Sequence, residues 1–90
     1  MEAELLKKCT DAGIRITAQR ALIIETLIDS DDHPDADRVY RRAVERDQSI
    51  SLPTVYRTLN LLEDAGIIKK INMNDGKARF EPVRKDHDHL

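Results

Sequence analysis

Apolar residues recur along this chain at helical spacing four times, and then the period changes. The first stretch, about Glu2 to Ala12, carries Leu5, Cys9 and Ala12 on one stripe and stops at Gly13. Thr17 is placed to cap a second helix with Ala21, Ile24, Leu27 and Ile28 inward, ending near Ser30, and Ile16 before the cap can staple to Ala21. Residues 30–34, Ser-Asp-Asp-His-Pro, read as a turn, because a residue before proline avoids the helical region. Asp35 caps a third helix whose Ala36, Val39, Tyr40, Ala43 and Val44 give the cleanest pattern in the chain.

After a connection from Asp47 to Ile50, Ser51 caps a fourth helix that Gly66 ends. Leu52, Val55, Leu59 and Leu62 form its buried stripe. Pro53, Thr54, Arg57 and Asn60 point the other way, with Tyr56 at the border. From Ile67 the spacing suits strands: Ile67 to Asn72, a turn at Asn74-Asp75-Gly76, then Lys77 to Glu81. The tail from Pro82 is polar. Ile67, Ile71 and Phe80 are positioned to close the core, and Lys69, Lys70, Lys77 and Arg79 to face solvent.

This order of elements predicts a winged helix-turn-helix, mainly α with a small β-hairpin. The third and fourth helices form the turn motif and the hairpin the wing. The outward face of the fourth helix holds a guanidinium able to pair with guanine, an amide, a hydroxyl and an aromatic ring, the side-chain types that read base edges in a major groove. The wing lysines are available to phosphates, contacts that fix register more than sequence.

Ninety residues allow one small domain, and 40% apolar with 36% charged residues excludes a disordered or membrane-spanning chain. Nothing resembles a signal peptide, and the single Cys9 fits a reducing cytoplasm and a small buried hydrophobe. The net charge of −2 argues against nucleic acid as a global figure. Its distribution does not. Asp29, Asp31, Asp32, Asp35 and Asp37 concentrate acid between the second and third helices, whereas Ser51 to Lys85 holds seven bases against four acids, a balance of +3. There is no glycine-rich phosphate loop and no nucleophile–base pair, so the chain does not read as an enzyme.

Six pieces in order carry a family likeness: residues 13–20 (Gly-Ile-Arg-Ile-Thr-Ala-Gln-Arg), Asp32-His33-Pro34, Val39-Tyr40, residues 54–59 (Thr-Val-Tyr-Arg-Thr-Leu), residues 63–67 (Glu-Asp-Ala-Gly-Ile), and the closing His87-Asp88-His89-Leu90. Together they resemble the N-terminal DNA-binding domain of the ferric uptake regulator (Fur) family. The resemblance implies residues 1–82 as the DNA-binding domain and 83–90 as a hinge to an absent dimerisation domain. It implies double-stranded DNA as partner and a homodimer in the longer protein. Arg15 matches the family's minor-groove residue, more usually lysine, and Tyr56 and Arg57 its base-contacting pair.

The resemblance also implies a divalent metal, iron with manganese or zinc as alternatives, in the longer protein, and none held stably by these ninety residues alone. His33, Glu81, His87 and His89 match the ligands of the regulatory site, and Asp86 and Asp88 members of a second site. Asp86 stands where the family has histidine, which favours a harder metal. The function implied is that of a metal-responsive, iron-type transcriptional repressor in the cytoplasm. The alternative is a winged helix for protein–protein interaction without DNA binding, using the acidic region between the second and third helices. A metal-storage module fits less well, because the candidate ligands are few and mostly terminal.

Overall fold

The computed structural model describes residues 2–29, 32–72 and 76–83. Four helices precede an antiparallel hairpin: α1 Glu2–Asp11, α2 Ala18–Ile28, α3 Ala36–Val44, α4 Leu52–Asp64, β1 Ile68–Asn72 and β2 Ala78–Pro82.

Local chemistry sets the boundaries. Thr17, Asp35 and Ser51, all with extended backbone, each accept a hydrogen bond from the amide three residues on, at Arg20, Arg38 and Thr54. Each contact satisfies one of the amides that a helix start leaves without an internal partner. At the other end, α1 and α4 close in the same way. Gly13 N donates to Thr10 O and Ile14 N to Cys9 O; Gly66 N donates to Glu63 O and Ile67 N to Leu62 O. This double bond pattern requires a left-handed residue, and Gly13 and Gly66 supply it at φ 83° and 76°. It also turns Ile14 and Ile67 back onto the core.

The core is one cluster built from every element. Leu5 and Cys9 come from α1, Ile23, Ile24 and Leu27 from α2, Ala36, Val39 and Ala43 from α3, Val55, Leu59 and Leu62 from α4, and Ile68 and Phe80 from the hairpin, with Ile50 and Ile67 from the connections. The expected Leu52 and Ala12 are not among them. Leu52 is half-buried at the start of α4, Ala12 is exposed, and Thr58 takes the inward position on α4 instead. Ile23 and Thr26 are also buried, because α2 packs against α1, α3, α4 and β2 and has little free face.

The hairpin register pairs Ile68 with Pro82, Lys69 with Glu81, Lys70 with Phe80, Ile71 with Arg79 and Asn72 with Ala78. The ladder begins at Ile68; Ile67 serves as connector, its carbonyl accepting from Val83 N. Phe80 plugs the core, and its amide donates to Pro34 O, which ties the wing to the loop before α3. Lys8 Nζ of α1 donates to Val83 O at 3.3 Å and ties α1 to the residue that follows β2.

Candidate nucleic-acid interface and metal-ligand pair

The outer face of α4 is set by its inner face. With Val55, Thr58, Leu59 and Leu62 buried, 100° per residue turns Pro53, Tyr56, Arg57 and Asn60 to solvent. Tyr56 is the one large hydrophobic side chain exposed among the described residues, at 47%. Thr54 is half-buried, and its Oγ1 shares a 2.9 Å hydrogen bond with Ser51 Oγ, so its hydroxyl is engaged in the cap.

Arg15 stands in the loop between the end of α1 and the cap of α2. Ile14 and Ile16 on either side pack against the core while Arg15 is exposed. Arg20 NH1 donates to Arg15 O at 2.8 Å and pins the backbone of this loop. A second tie was not foreseen from sequence. Gln19 Nε2 donates to Ser49 Oγ at 3.1 Å, and Ser49 is itself held by Asp47 Oδ1 through its amide and its hydroxyl, at 2.9 and 2.6 Å. These bonds hold the Asp47 carboxyl below its ordinary pKa, the Ser49 hydroxyl first and the Ser49 amide second. The start of α2, next to Arg15, is thereby joined to the turn that leads into α4. Nothing in residue spacing signals a glutamine reaching a serine thirty positions away.

The wing bases have partners within the domain. Lys69 pairs with Glu81 at 3.2 Å, Lys70 with Glu63 at 3.7 Å and Lys77 with Asp35 at 3.8 Å. Arg79 is half-buried and its NH1 donates to His33 O at 3.1 Å, a brace for the loop before α3. The three lysines are exposed and their carboxylate partners half-buried; such pairs at the surface contribute roughly 0–1 kcal/mol, so a phosphate can compete for the ammonium. Between wing and α4 lies a cleft of about 290 Å³, bordered by Tyr56, Asn60, Lys70, Lys77 and Phe80 with Asp35 at its end.

The acidic segment is neutralised from α3 and beyond. Arg42 makes two contacts with Asp32 at 3.2 Å, Arg38 adds a third at 3.8 Å, and Arg46 bridges Glu25 and Asp29 at 3.3 Å. The Arg42 hydrogen bond, chiefly, holds the Asp32 carboxyl below its ordinary pKa. Asp31 lies outside the described residues. The acids expected to form a docking surface for a protein are therefore largely committed to arginine and lysine.

Two of the expected metal ligands meet. His33 Nε2 and Glu81 Oε1 are 2.7 Å apart, both partly exposed, although 48 residues separate them. Glu81 is held below its ordinary pKa by the Lys69 contact first and by His33 second, against the opposing effect of burial. An imidazole beside a carboxylate suits a borderline divalent ion, and these two side chains would supply half of a four-donor shell. No group of three or more candidate ligands occurs among the described residues. His87, His89, Asp86 and Asp88 lie outside them.

Helices α3 and α4 as the turn motif, the hairpin beside them and α1 and α2 as support define a winged helix-turn-helix. A sequence model of the ferric uptake regulator family matches residues 11–90, and the chain belongs to that family. It is 52% identical over 83 residues to the ferric uptake regulation protein of Rhizobium leguminosarum bv. viciae, covering 91% of this chain and 58% of the relative. It is 36% identical over 86 residues to the peroxide operon regulator of Bacillus subtilis, covering 96% of this chain and 59% of the relative. The structure of a zinc-bound manganese uptake regulator superposes with a TM-score of 0.87 at 48% identity, over 92% of this chain and 63% of that one. The chain thus spans less than two thirds of the length of these relatives. No helix among the described residues is long and apolar enough to cross a membrane.

Proposed function

We propose that this chain is the sequence-specific DNA-binding domain of a metal-responsive, iron-type bacterial transcriptional repressor of the cytoplasm. The observation that carries this is the exposed Tyr56, Arg57 and Asn60 row on α4, beside the pinned Arg15 loop and the wing lysines. Helix α4 enters the major groove. Arg57 pairs with a guanine, Tyr56 lies against a thymine methyl and Asn60 contacts a neighbouring base or phosphate. Ser51 caps the start of α4, and the positive end of the helix dipole there favours a phosphate. Arg15 enters the adjacent minor groove, and Lys69 and Lys77 neutralise backbone charge.

Residues 1–82 form this unit, and 83–90 are the hinge to a dimerisation domain through which two copies meet two half-sites. Metal at His33, Glu81, His87 and His89 ties the hinge to the wing and so favours one arrangement of the dimer. Asp86 and Asp88 belong to a second site shared with the further domain. The relatives named for iron and manganese support a metal of that kind. Selection from a randomised duplex pool tests the reading. The domain should enrich a short consensus with a guanine in it. Recovery of an unenriched pool would count against sequence-specific DNA binding.

A further inference from the structure

Glu81 is gripped from two sides. Its Oε1 faces His33 Nε2 at 2.7 Å and its Oε2 faces Lys69 Nζ at 3.2 Å. The lysine is there by register: Lys69 and Glu81 are directly opposed on the hairpin, on the same sheet face, where facing side chains stand close enough to pair. The next pair on that face is Ile71 with Arg79, and Arg79 is turned to the His33 carbonyl. Among the described residues, the partners of this carboxylate are thus one imidazole and one ammonium.

A divalent ion arriving at His33 and Glu81 therefore meets a positive charge already seated on the carboxylate it needs. Two cations within a few ångströms repel, and at an exposed site that repulsion amounts to a modest factor in affinity. Resting on the reading of His33 and Glu81 as metal ligands, we propose that Lys69 is a built-in competitor for the metal, which occupies Glu81 Oε2 in the metal-free domain and thereby sets the affinity of the site. The same contact holds Glu81 beside His33, so the two side chains are already adjacent before metal arrives. A lysine that only positioned Glu81 would have the opposite effect on affinity: its loss would loosen the ligand and weaken binding. The sign of the change separates the two roles.

The test is a Mn²⁺ titration of the ninety-residue protein followed by paramagnetic broadening of backbone amide signals, which registers weak as well as tight sites. Wild type is compared with Lys69→Met, Lys69→Arg and Glu81→Gln. Lys69 is 59% exposed, so its replacement leaves the core intact. Lys69→Met should bind on the order of three- to tenfold more tightly than wild type. Lys69→Arg, which keeps the charge, should stay close to wild type, and Glu81→Gln should lose the broadening around His33. Unchanged or weaker binding by Lys69→Met, with Glu81→Gln still deficient, overturns the role of Lys69 and leaves the metal ligands standing. Broadening around His33 that survives Glu81→Gln unchanged, or that occurs in no variant, overturns the ligand reading and this inference with it.

Discussion

Gln19 Nε2 donates to Ser49 Oγ at 3.1 Å and so links the helix that follows the Arg15 loop to the turn that precedes α4. In the proposed reading Arg15 and α4 address adjacent grooves of one duplex, and this bond together with the Asp47–Ser49 contacts would fix their separation. Gln19→Ala removes one exposed hydrogen bond and should cost stability less than about 1 kcal/mol. Its effect on a matched duplex should be larger, a loss of several-fold in affinity, with little change on a scrambled one. Thermal unfolding and binding titrations on the same samples check this. A stability loss with no binding loss would assign the bond to folding alone.

Lys77 immediately precedes β2 and pairs with Asp35 at 3.8 Å, with its side chain 64% exposed. A phosphate can replace that partner. Lys77→Ala should weaken matched and scrambled duplexes equally and reduce the slope of log affinity against log salt by about one. A loss confined to the matched duplex would mean that the wing reads bases.

Acid should act on this domain in part through Asp32, beside Asp47 and Glu81. Its carboxyl is lowered from 3.8 by the Arg42 hydrogen bond, so it binds fewer protons folded than unfolded. The stabilisation it provides is complete above that unfolded value and is lost as the pH falls through the lower, folded one. Asp32→Asn should lower stability slightly at neutral pH, with the difference from wild type shrinking to nothing as the pH falls below about 4, so that the acid part of the profile is flatter. Denaturant midpoints between pH 2 and 7 would show it, and a parallel downward shift at every pH would contradict it.

These ninety residues should bind a single half-site weakly and without dependence on metal. The outer face of α4 contains neither His33 nor Glu81, and the proposed coupling of metal to DNA runs through a pairing of two copies. Without that tether the gain in effective concentration is missing. Anisotropy titrations with and without Mn²⁺ or Fe²⁺ should superimpose. A large gain on adding metal would place the coupling inside this domain.

The helices were legible because each carries its own punctuation. Thr17, Asp35 and Ser51 cap as their side chains require, and Gly13 and Gly66 stop α1 and α4 through their left-handed backbone. The wing was legible from the change of period, with strand bounds off by one residue. β1 begins at Ile68 rather than Ile67, and β2 runs Ala78–Pro82 rather than Lys77 to Glu81. Ile68 rather than Ile71 joins the buried core, and Asn74 and Asp75 of the expected turn lie outside the described residues. Where the pattern misled, packing on several sides was the cause. Ile23 and Thr26 are buried because α2 lies among four other elements, and no single stripe can describe such a helix. On α4 the buried Thr58 stands where an apolar periodicity has no reason to look. Long-range polar contacts were the least legible. The 2.7 Å approach of His33 to Glu81 depends on Phe80 docking the wing against Pro34, and the pairing of the acidic segment with Arg38, Arg42 and Arg46 depends on how α3 packs. The resemblance named Arg15, Tyr56, Arg57, His33 and Glu81 as site residues, and left unmarked the Gln19–Ser49 tie and the Lys69 grip on Glu81.

The most direct test of the account is the sequence dependence of Arg57. Its side chain is exposed on α4, opposite Leu59 and Leu62 and next to Tyr56. The measurement is a pair of binding titrations for wild type and Arg57→Ala, on the selected duplex and on duplexes substituted one position at a time. A bidentate guanidinium–guanine pair predicts a loss on the order of 1–3 kcal/mol on the selected duplex, with discrimination relaxed at one base position only. Equal losses on selected and scrambled duplexes would reduce Arg57 to a phosphate contact and contradict recognition by this helix.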